Sequence, residues 1–408
     1  MAWDSSELRA RFPALALEVA GRAAVFFDGP AGSQVPVSVL EAMNRYLVEA
    51  NANTGGYFAT SVASDRFLTA AHRRVAEFLG AGDPGEIVFG ANMTTLTLAL
   101  ARTMGRLWSA EDEIVVSRME HDANYTPWVQ AARDAGARVR HIDIDAETFS
   151  LDEGSLDEVL NERTRLVAIG AASNMIGTIN PVAAITERAH AVGALVFVDA
   201  VHHAPHDLID VDAWGADFVA CSAYKFFGPH VGILWGRRAL LEELPVYKLR
   251  PASDGLPDRW MTGTQNHEGI AGTVAAIDHI ASLGANGTSG RERIVSAFAA
   301  IREYEHGLSA RLIEGLGEID AVRIWGITDP ARFDERVPTL SITHARHRPV
   351  EIARRLGEQG IFVWEGNYYA LPLSEALGLE PDGTVRIGLL HYNTVSEVER
   401  LLTALRDL

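Results

Sequence analysis

Cysteine is nearly absent from this chain. Its 408 residues hold one, Cys221, which excludes an internal disulfide and any cysteine-built zinc site. Long apolar runs are missing too, and no stretch reaches the roughly 20 residues that a membrane-spanning helix needs. The first residues, Met1-Ala-Trp-Asp-Ser-Ser-Glu7, are polar and acidic. They lack the basic-then-apolar order of a secretory leader. Basic residues are outnumbered, with 36 Lys and Arg against 54 Asp and Glu and a formal net charge of −18. Such a surface repels phosphate-rich partners, so neither nucleic acid nor a membrane is an expected partner. The cytoplasm is the expected compartment. His-Glu-x-x-His spacing is also absent, and no metal is expected. His202, His203 and His206 beside Asp199 supply the one rival reading as a metal site.

What is present is ordinary globular material, 48% apolar and 22% charged, long enough for two or more domains. Short β-branched runs alternate with helical stretches, the rhythm of an α/β protein with a mostly parallel sheet. Strands are expected at 24–28, 86–89, 112–117, 138–144, 164–170, 195–198 and 218–221. Helices are expected at 35–49, 64–79, 96–107, 181–192 and 268–283, with 5–20 as a short helix and an apolar tail. The Gly-rich run 284–290 reads as a linker. Beyond it, a helix at 292–316, strands at 322–325, 340–343, 361–364 and 384–390, and a helix at 349–359 form a smaller α/β unit. Thr394-Val-Ser-Glu397 is a capping box opening the last helix. The expected division is a large domain over 23–288 and a small one from 1–22 with 289–408.

Two strand ends carry the chemistry. One delivers Asp199, the other Ser222 and Lys225. Ligands of open parallel sheets sit at the carboxyl ends of the strands. A lysine and a carboxylate on one such edge suit a pyridine cofactor held as a Schiff base, with the carboxylate keeping the ring nitrogen protonated. Upstream, Gly90-Ala-Asn92-Met93-Thr94-Thr95 joins a strand to a helix. Free N–H groups and the positive dipole end make such a turn a phosphate cradle. The alternative is a plain Thr cap.

Asp199-x-x-His202 and then Ser222-x-x-Lys225-x-x-Gly228-Pro229 resemble the class V aminotransferase family, which uses pyridoxal 5′-phosphate on fold type I. The nearest branch is that of the cysteine desulfurases and selenocysteine lyases, and the likeness runs from about Phe26 to the C-terminus. The resemblance implies a mostly parallel seven-stranded sheet sandwiched by helices, plus a small C-terminal α/β domain. It implies Lys225 as the cofactor lysine and Asp199 as the ring-nitrogen partner. Glu120-His121-Asp122-Ala-Asn124 implies His121 stacked on the ring. Ser173-Asn174-x-x-Gly177 implies Asn174 near the ring hydroxyl and the substrate carboxylate. His202 would bond the ring oxygen. Thr94, the Met93 backbone, Ser222 and Tyr224 would serve the phosphate side, although the desulfurases have His where Tyr224 stands. Gly263-Thr264-Gln-Asn266 implies that Thr264 crosses to a partner's phosphate, hence a homodimer. Arg386-x-Gly388 with Tyr392-Asn-Thr394 implies Arg386 as the α-carboxylate clamp for a small amino-acid substrate.

One expected part is missing. The desulfurases need a mobile thiolate in a loop reading roughly Gly-His-His-Cys-Ala-x-Pro. Here the loop is Gly366-Asn-Tyr-Tyr369-Ala-Leu-Pro372, with Tyr369 at the cysteine position. Cys221 falls in an apolar strand, where a thiol behaves as a small hydrophobe. The resemblance therefore implies chemistry through an external aldimine and quinonoid without a persulfide. A β-eliminating, C–S-type lyase is the expected activity. Aminotransferase, epimerase and β-decarboxylating exits remain open. Tyr369 is expected to close the pocket over the β-substituent.

Overall fold

The computed structural model describes residues 5–408. Its centre is a seven-stranded sheet. In spatial order the strands are Ile87–Gly90, Gly232–Gly236, Phe218–Ser222, Leu195–Asp199, Thr164–Gly170, Glu113–Ser117 and Arg138–Ile142. All run parallel except Gly232–Gly236, which is antiparallel to both neighbours. Buried strands of this kind show apolar residues on both faces. Val115, Val167, Ile169, Val196, Val198, Val219 and Cys221 join one hydrophobic cluster. Ile114, Val116, Leu166, Ala168, Phe197, Phe218 and Ala220 join the other. That alternation is the period-2 signature of a sheet covered on both sides.

The smaller sheet is antiparallel, in the order Val322–Trp325, Thr339–His344, Thr384–Gly388 and Trp364–Gly366. Its core takes Leu308, Leu312 and Leu316 from the helix Gly290–Gly317 and Val398, Leu401 and Leu402 from the helix Val395–Arg406. The capping box at Thr394 and Glu397 is formed.

Several expected elements differ. Residues 5–20 do not form one helix. The helix Ser5–Arg9 gives way to a 3₁₀ turn at Pro13–Ala16, and Glu18–Val19 pairs with Arg22–Ala23. Pro13 has no N–H to continue a helix, and Ala20 and Gly21 take positive φ to close the hairpin. The helix expected from 64 starts at Ala59, because Ser61 and Ser64 bond back to the carbonyls of Asn53 and Ala50 at 2.6 Å. The strand expected at 361–364 is two pieces. Ile361–Phe362 pairs parallel with Val25–Phe26, and Trp364–Gly366 pairs with Thr384–Gly388.

Apolar packing also crosses the expected boundary between 23–288 and the grouping of 1–22 with 289–408. Leu8, Phe12 and Leu15 pack in a cluster of the large sheet, as do Ile294, Phe298 and Ile301 from the first half of the long helix. Val25 and Phe27 face the small-sheet core while Phe26 faces the other, so one short strand joins both. Residues 1–4 of the expected segment lie outside the described residues.

Candidate active site

The parallel strands end along one edge, and each ending leads into a candidate residue. Gly90 leads to Asn92–Thr95, Ser117 to His121, Gly170 to Asn174, Asp199 to His202, and Ser222 to Lys225. Register fixes this convergence: Asp199 lies opposite Gly170 on one side and Ala220 on the other, and Ser222 lies opposite Gly232. Among the described residues, no set of three or more His, Cys, Asp or Glu side chains is gathered for a metal ion. His206 Nδ1 pairs with Glu305 at 2.9 Å and His203 Nε2 with the Leu208 carbonyl at 3.2 Å.

Lys225 is 9% exposed and follows the strand in a 3₁₀ turn. Its ammonium donates to the Pro30 carbonyl. Burial, with Arg386 adding to it and Asp199 opposing, lowers its pKa to about 7. Asp199 accepts from the Val201 N–H at 2.8 Å, and burial pushes its carboxyl up to about 6. The amine and the carboxyl are each nearer neutrality than in water, and each gains from a cofactor that brings an opposite partner.

The phosphate-side turn is capped by Asn92, whose side chain accepts from the Thr95 N–H at 2.9 Å. The helix therefore begins at Met93, earlier than the expected 96. The Met93 N–H donates to Ser222 Oγ at 2.9 Å, so that donor is committed. Thr94 is exposed in the first turn. Gly232 must be glycine, because a side chain there would run into the Asn92 backbone. Tyr224 stacks on His230 at 5.1 Å, and its carbonyl accepts from Ser33 N–H at 3.0 Å. Thr264 lies apart from this cluster. It is exposed and lines an open cleft of about 1280 Å³ with Asn53, Thr54, Lys248 and Gln265.

His121 Nδ1 accepts from the Ala123 N–H at 3.0 Å. That donor places the imidazole proton on Nε2. Burial, with Lys225 and Arg386 adding to it, lowers the His121 pKa to about 4, so the ring is neutral. Tyr369 stacks on it at 5.6 Å between centroids. His202 Nε2 pairs with Thr339 Oγ1 at 3.0 Å, and burial holds it far below its usual pKa. The Asn174 amide donates to the Tyr368 carbonyl at 2.9 Å, while its Oδ1 is buried without a partner. Asn174 therefore keeps a free acceptor and a second amide N–H beyond the one it gives to Tyr368. Arg386 is 5% exposed and donates to the Asn174 carbonyl at 2.9 Å.

Four residues at this site escape sequence reading. Glu120 is buried and receives the Gly170 N–H at 2.9 Å, the Asn124 amide at 2.6 Å and the Ser117 hydroxyl. Trp128 Nε1–H fixes the Asn124 orientation at 2.9 Å. Burial pushes the Glu120 carboxyl up to about 8 against those donors. Asp28, raised by burial to about 6, keeps Oδ1 unpartnered in the field of Arg386. Pro30 supplies the carbonyl for Lys225. Tyr368 lies over Arg386, 4.1 Å from ring centroid to guanidinium carbon. The family motif that flanks His121 was the only signal for Glu120, and none marked the other three.

Tyr368 and Tyr369 both adopt left-handed φ, 57° and 62°. Such a residue costs about 1–3 kcal/mol when not glycine. The anchors around it offset that: the Asn174 amide, the Tyr368 hydroxyl to Thr384, and the Tyr369 carbonyl receiving Asp122 N–H at 2.7 Å. At about 0.5–1.5 kcal/mol per bond these are of the same size as the strain.

Comparison with known proteins follows this geometry. The model of the family "Aminotransferase class-V" matches residues 25–401. A probable cysteine desulfurase of Streptomyces coelicolor is 33% identical over 427 aligned residues, covering 98% of this chain and 96% of that protein. A cysteine desulfurase of Pectobacterium atrosepticum is 32% identical, covering 100% and 98%. The apo structure of a cysteine desulfurase from Thermococcus onnurineus superimposes with a TM-score of 0.87 at 29% identity, covering 98% of this chain and 97% of that one. The Escherichia coli cysteine desulfurase CsdA gives 0.83 at 27% identity, covering 100% of this chain and 98% of that one. The chain belongs to the class V aminotransferase family and has the fold of the pyridoxal-phosphate enzymes of its cysteine desulfurase-like branch. It is a pyridoxal-phosphate-dependent enzyme. Lys225, Asp199 and the unpartnered acceptor of Asn174 fit that group's aldehyde, ring nitrogen and hydroxyl.

Proposed function

We propose that this enzyme removes the β-substituent of a small α-amino acid, as a C–S-type lyase that forms no protein persulfide. One observation carries the reading. The loop position expected to bear a thiolate holds Tyr369, and Cys221 is buried in the central sheet with its thiol pushed far above its usual pKa. A protonated phenol is a poor sulfur acceptor. The names of the relatives point to cysteine as the first substrate to try.

In this reading Lys225 anchors pyridoxal phosphate, which when bound supplies the electron sink for α-deprotonation. A lysine titrating near 7 then suits the taking and returning of the α-proton. Asp199 supports the ring nitrogen, and His121, neutral, lies as an aromatic plate that excludes water. Thr94, Ser222 and Tyr224 form the phosphate side, with the Met93 N–H acting only through the Ser222 hydroxyl that it holds, and His202 and Asn174 serve the ring oxygen. Arg386 takes the α-carboxylate at the N–H groups it does not spend on Asn174. Tyr369 closes the pocket beyond His121.

The test is a product balance with l-cysteine. Sulfide, pyruvate and ammonia are expected in equal amounts. Alanine in step with a persulfide on Cys221 overturns the reading. A keto acid with aminated cofactor, or a racemised substrate, would move the assignment to transaminase or epimerase.

We further propose a homodimer with shared sites, supported by the exposure of Thr264 in its open cleft and of Tyr57 and Leu249. Sedimentation should give a dimer, and mixing Lys225→Ala with Thr264→Ala chains should restore activity. A fully active monomer refutes it.

A further inference from the structure

Arg386 is a buried guanidinium with few partners. No carboxylate lies within 4 Å of it among the described residues, and its one hydrogen bond goes to the Asn174 carbonyl. A guanidinium carries five N–H donors. Its remaining edge is therefore an unfilled demand for acceptors. The Tyr368 ring covers one face of the same group at 4.1 Å. That ring is not free to swing. Its hydroxyl is bonded to the Thr384 carbonyl and lies 3.1 Å from Thr384 Oγ1. Thr384 Oγ1 continues to Ser341 Oγ at 3.0 Å and on to the Met175 carbonyl at 2.8 Å. The Tyr368 carbonyl holds the Asn174 amide. One residue thus fixes the guanidinium plane, keeps water from its face and turns Asn174 toward the pocket.

We propose that Tyr368 is a specificity-determining residue: by closing one face of the buried Arg386 it presents the guanidinium edge to the ligand, so the pocket selects an unmodified α-carboxylate over the corresponding carboxamide. A carboxylate presents two acceptors to that edge. A carboxamide turns an N–H toward an N–H, and with water excluded neither donor finds a partner. If the face is open, water enters and satisfies the misfit, and discrimination falls. This rests on the reading of Arg386 as the carboxylate site. It does not depend on which bond is later broken.

The experiment compares wild type, Tyr368→Phe and Tyr368→Ala as holoenzymes. Binding of l-alanine and of l-alaninamide is read from the cofactor absorbance. Labelling of Arg386 by phenylglyoxal is read by peptide mass. Tyr368→Ala should lower the alanine-over-alaninamide preference by roughly tenfold, the scale of one buried donor left unpaired that water can then satisfy. It should speed Arg386 labelling as well. Tyr368→Phe keeps the ring and should keep most of the preference. Tyr368→Gly, which also opens the face and suits the left-handed φ of 57°, stands in if the alanine variant does not fold. A wild type that prefers alanine, with an equal preference in Tyr368→Ala and unchanged labelling, overturns this proposal alone. A wild type with no preference overturns the Arg386 reading and this proposal together.

Discussion

The strand-end cluster and the loop Trp364–Pro372 bring side chains to one site by different physics. Lys225 and Asp199 arrive on buried parallel strands whose register leaves them one place to go. Tyr368 and Tyr369 arrive on a strained turn held by hydrogen bonds to residues about 190 and 250 positions away, Asn174 and Asp122. Position by register is stiff and tolerates little change. Position by side-chain anchoring can be retuned one residue at a time, and this loop holds Tyr369 where the sequence reading expected a thiol. Under the proposed function, the strand ends set what chemistry is available, and the loop sets what the chemistry is applied to.

Substitutions should show that contrast as a gradient. The largest effect is expected for Lys225→Ala, a loss of about 10²–10⁴-fold or more in turnover, the scale of a missing proton-transfer group. In the wild type, borohydride reduction should fix the cofactor on Lys225 in peptide maps; labelling of Lys248 instead would sink the assignment. Next comes Arg386→Gln. Loss of charge-assisted bonds worth about 1.5–3 kcal/mol predicts roughly a 10–100-fold rise in KM for an α-amino acid. A KM unchanged in that variant would remove the carboxylate role.

Lys225 also predicts a pH dependence of folding in the cofactor-free protein. Its pKa falls from 10.5 to about 7 on folding. Between those values the unfolded chain holds a proton that the folded chain does not. This residue therefore makes stability rise with pH across the window, with its full cost below 7 and none above 10.5. Lys225→Met should stabilise the cofactor-free protein most below pH 7 and not at 10.5, read from urea midpoints. An equal effect at both pH values would contradict the buried neutral amine. Asn92→Ala should cost about 1 kcal/mol through the lost cap, visible as a lower thermal midpoint and weaker pyridoxal phosphate binding. The smallest effect is expected for Tyr369→Phe. The residue is 71% exposed and its hydroxyl makes no hydrogen bond among the described residues, so kcat/KM should change by less than about threefold, with substrate preference moving more than cofactor affinity.

Much of this molecule is legible one segment at a time. Buried parallel strands are short, β-branched and apolar on both faces, so the sheet and the residues at its ends follow from local pattern. Asp199, Ser222 and Lys225 could be placed on one edge because a strand can deliver its last residue only there. What the sequence could not show depends on partners far along the chain. The break at 361–364 arises because Ile361–Phe362 finds Val25–Phe26 while Trp364–Gly366 finds Thr384–Gly388. Leu8, Phe12 and Leu15 join the large-sheet core although they begin the chain. Glu120 reads as one acid among many until Gly170, Asn124 and Ser117 close around it. Tyr368 reads as half of a Tyr-Tyr pair until Arg386, from a strand 18 residues on, comes beneath its ring. Local backbone preference and burial period are written in neighbouring residues. Register between distant strands, the desolvation that shifts Lys225 and Asp199, and the face of a guanidinium exist only once the chain has closed on itself.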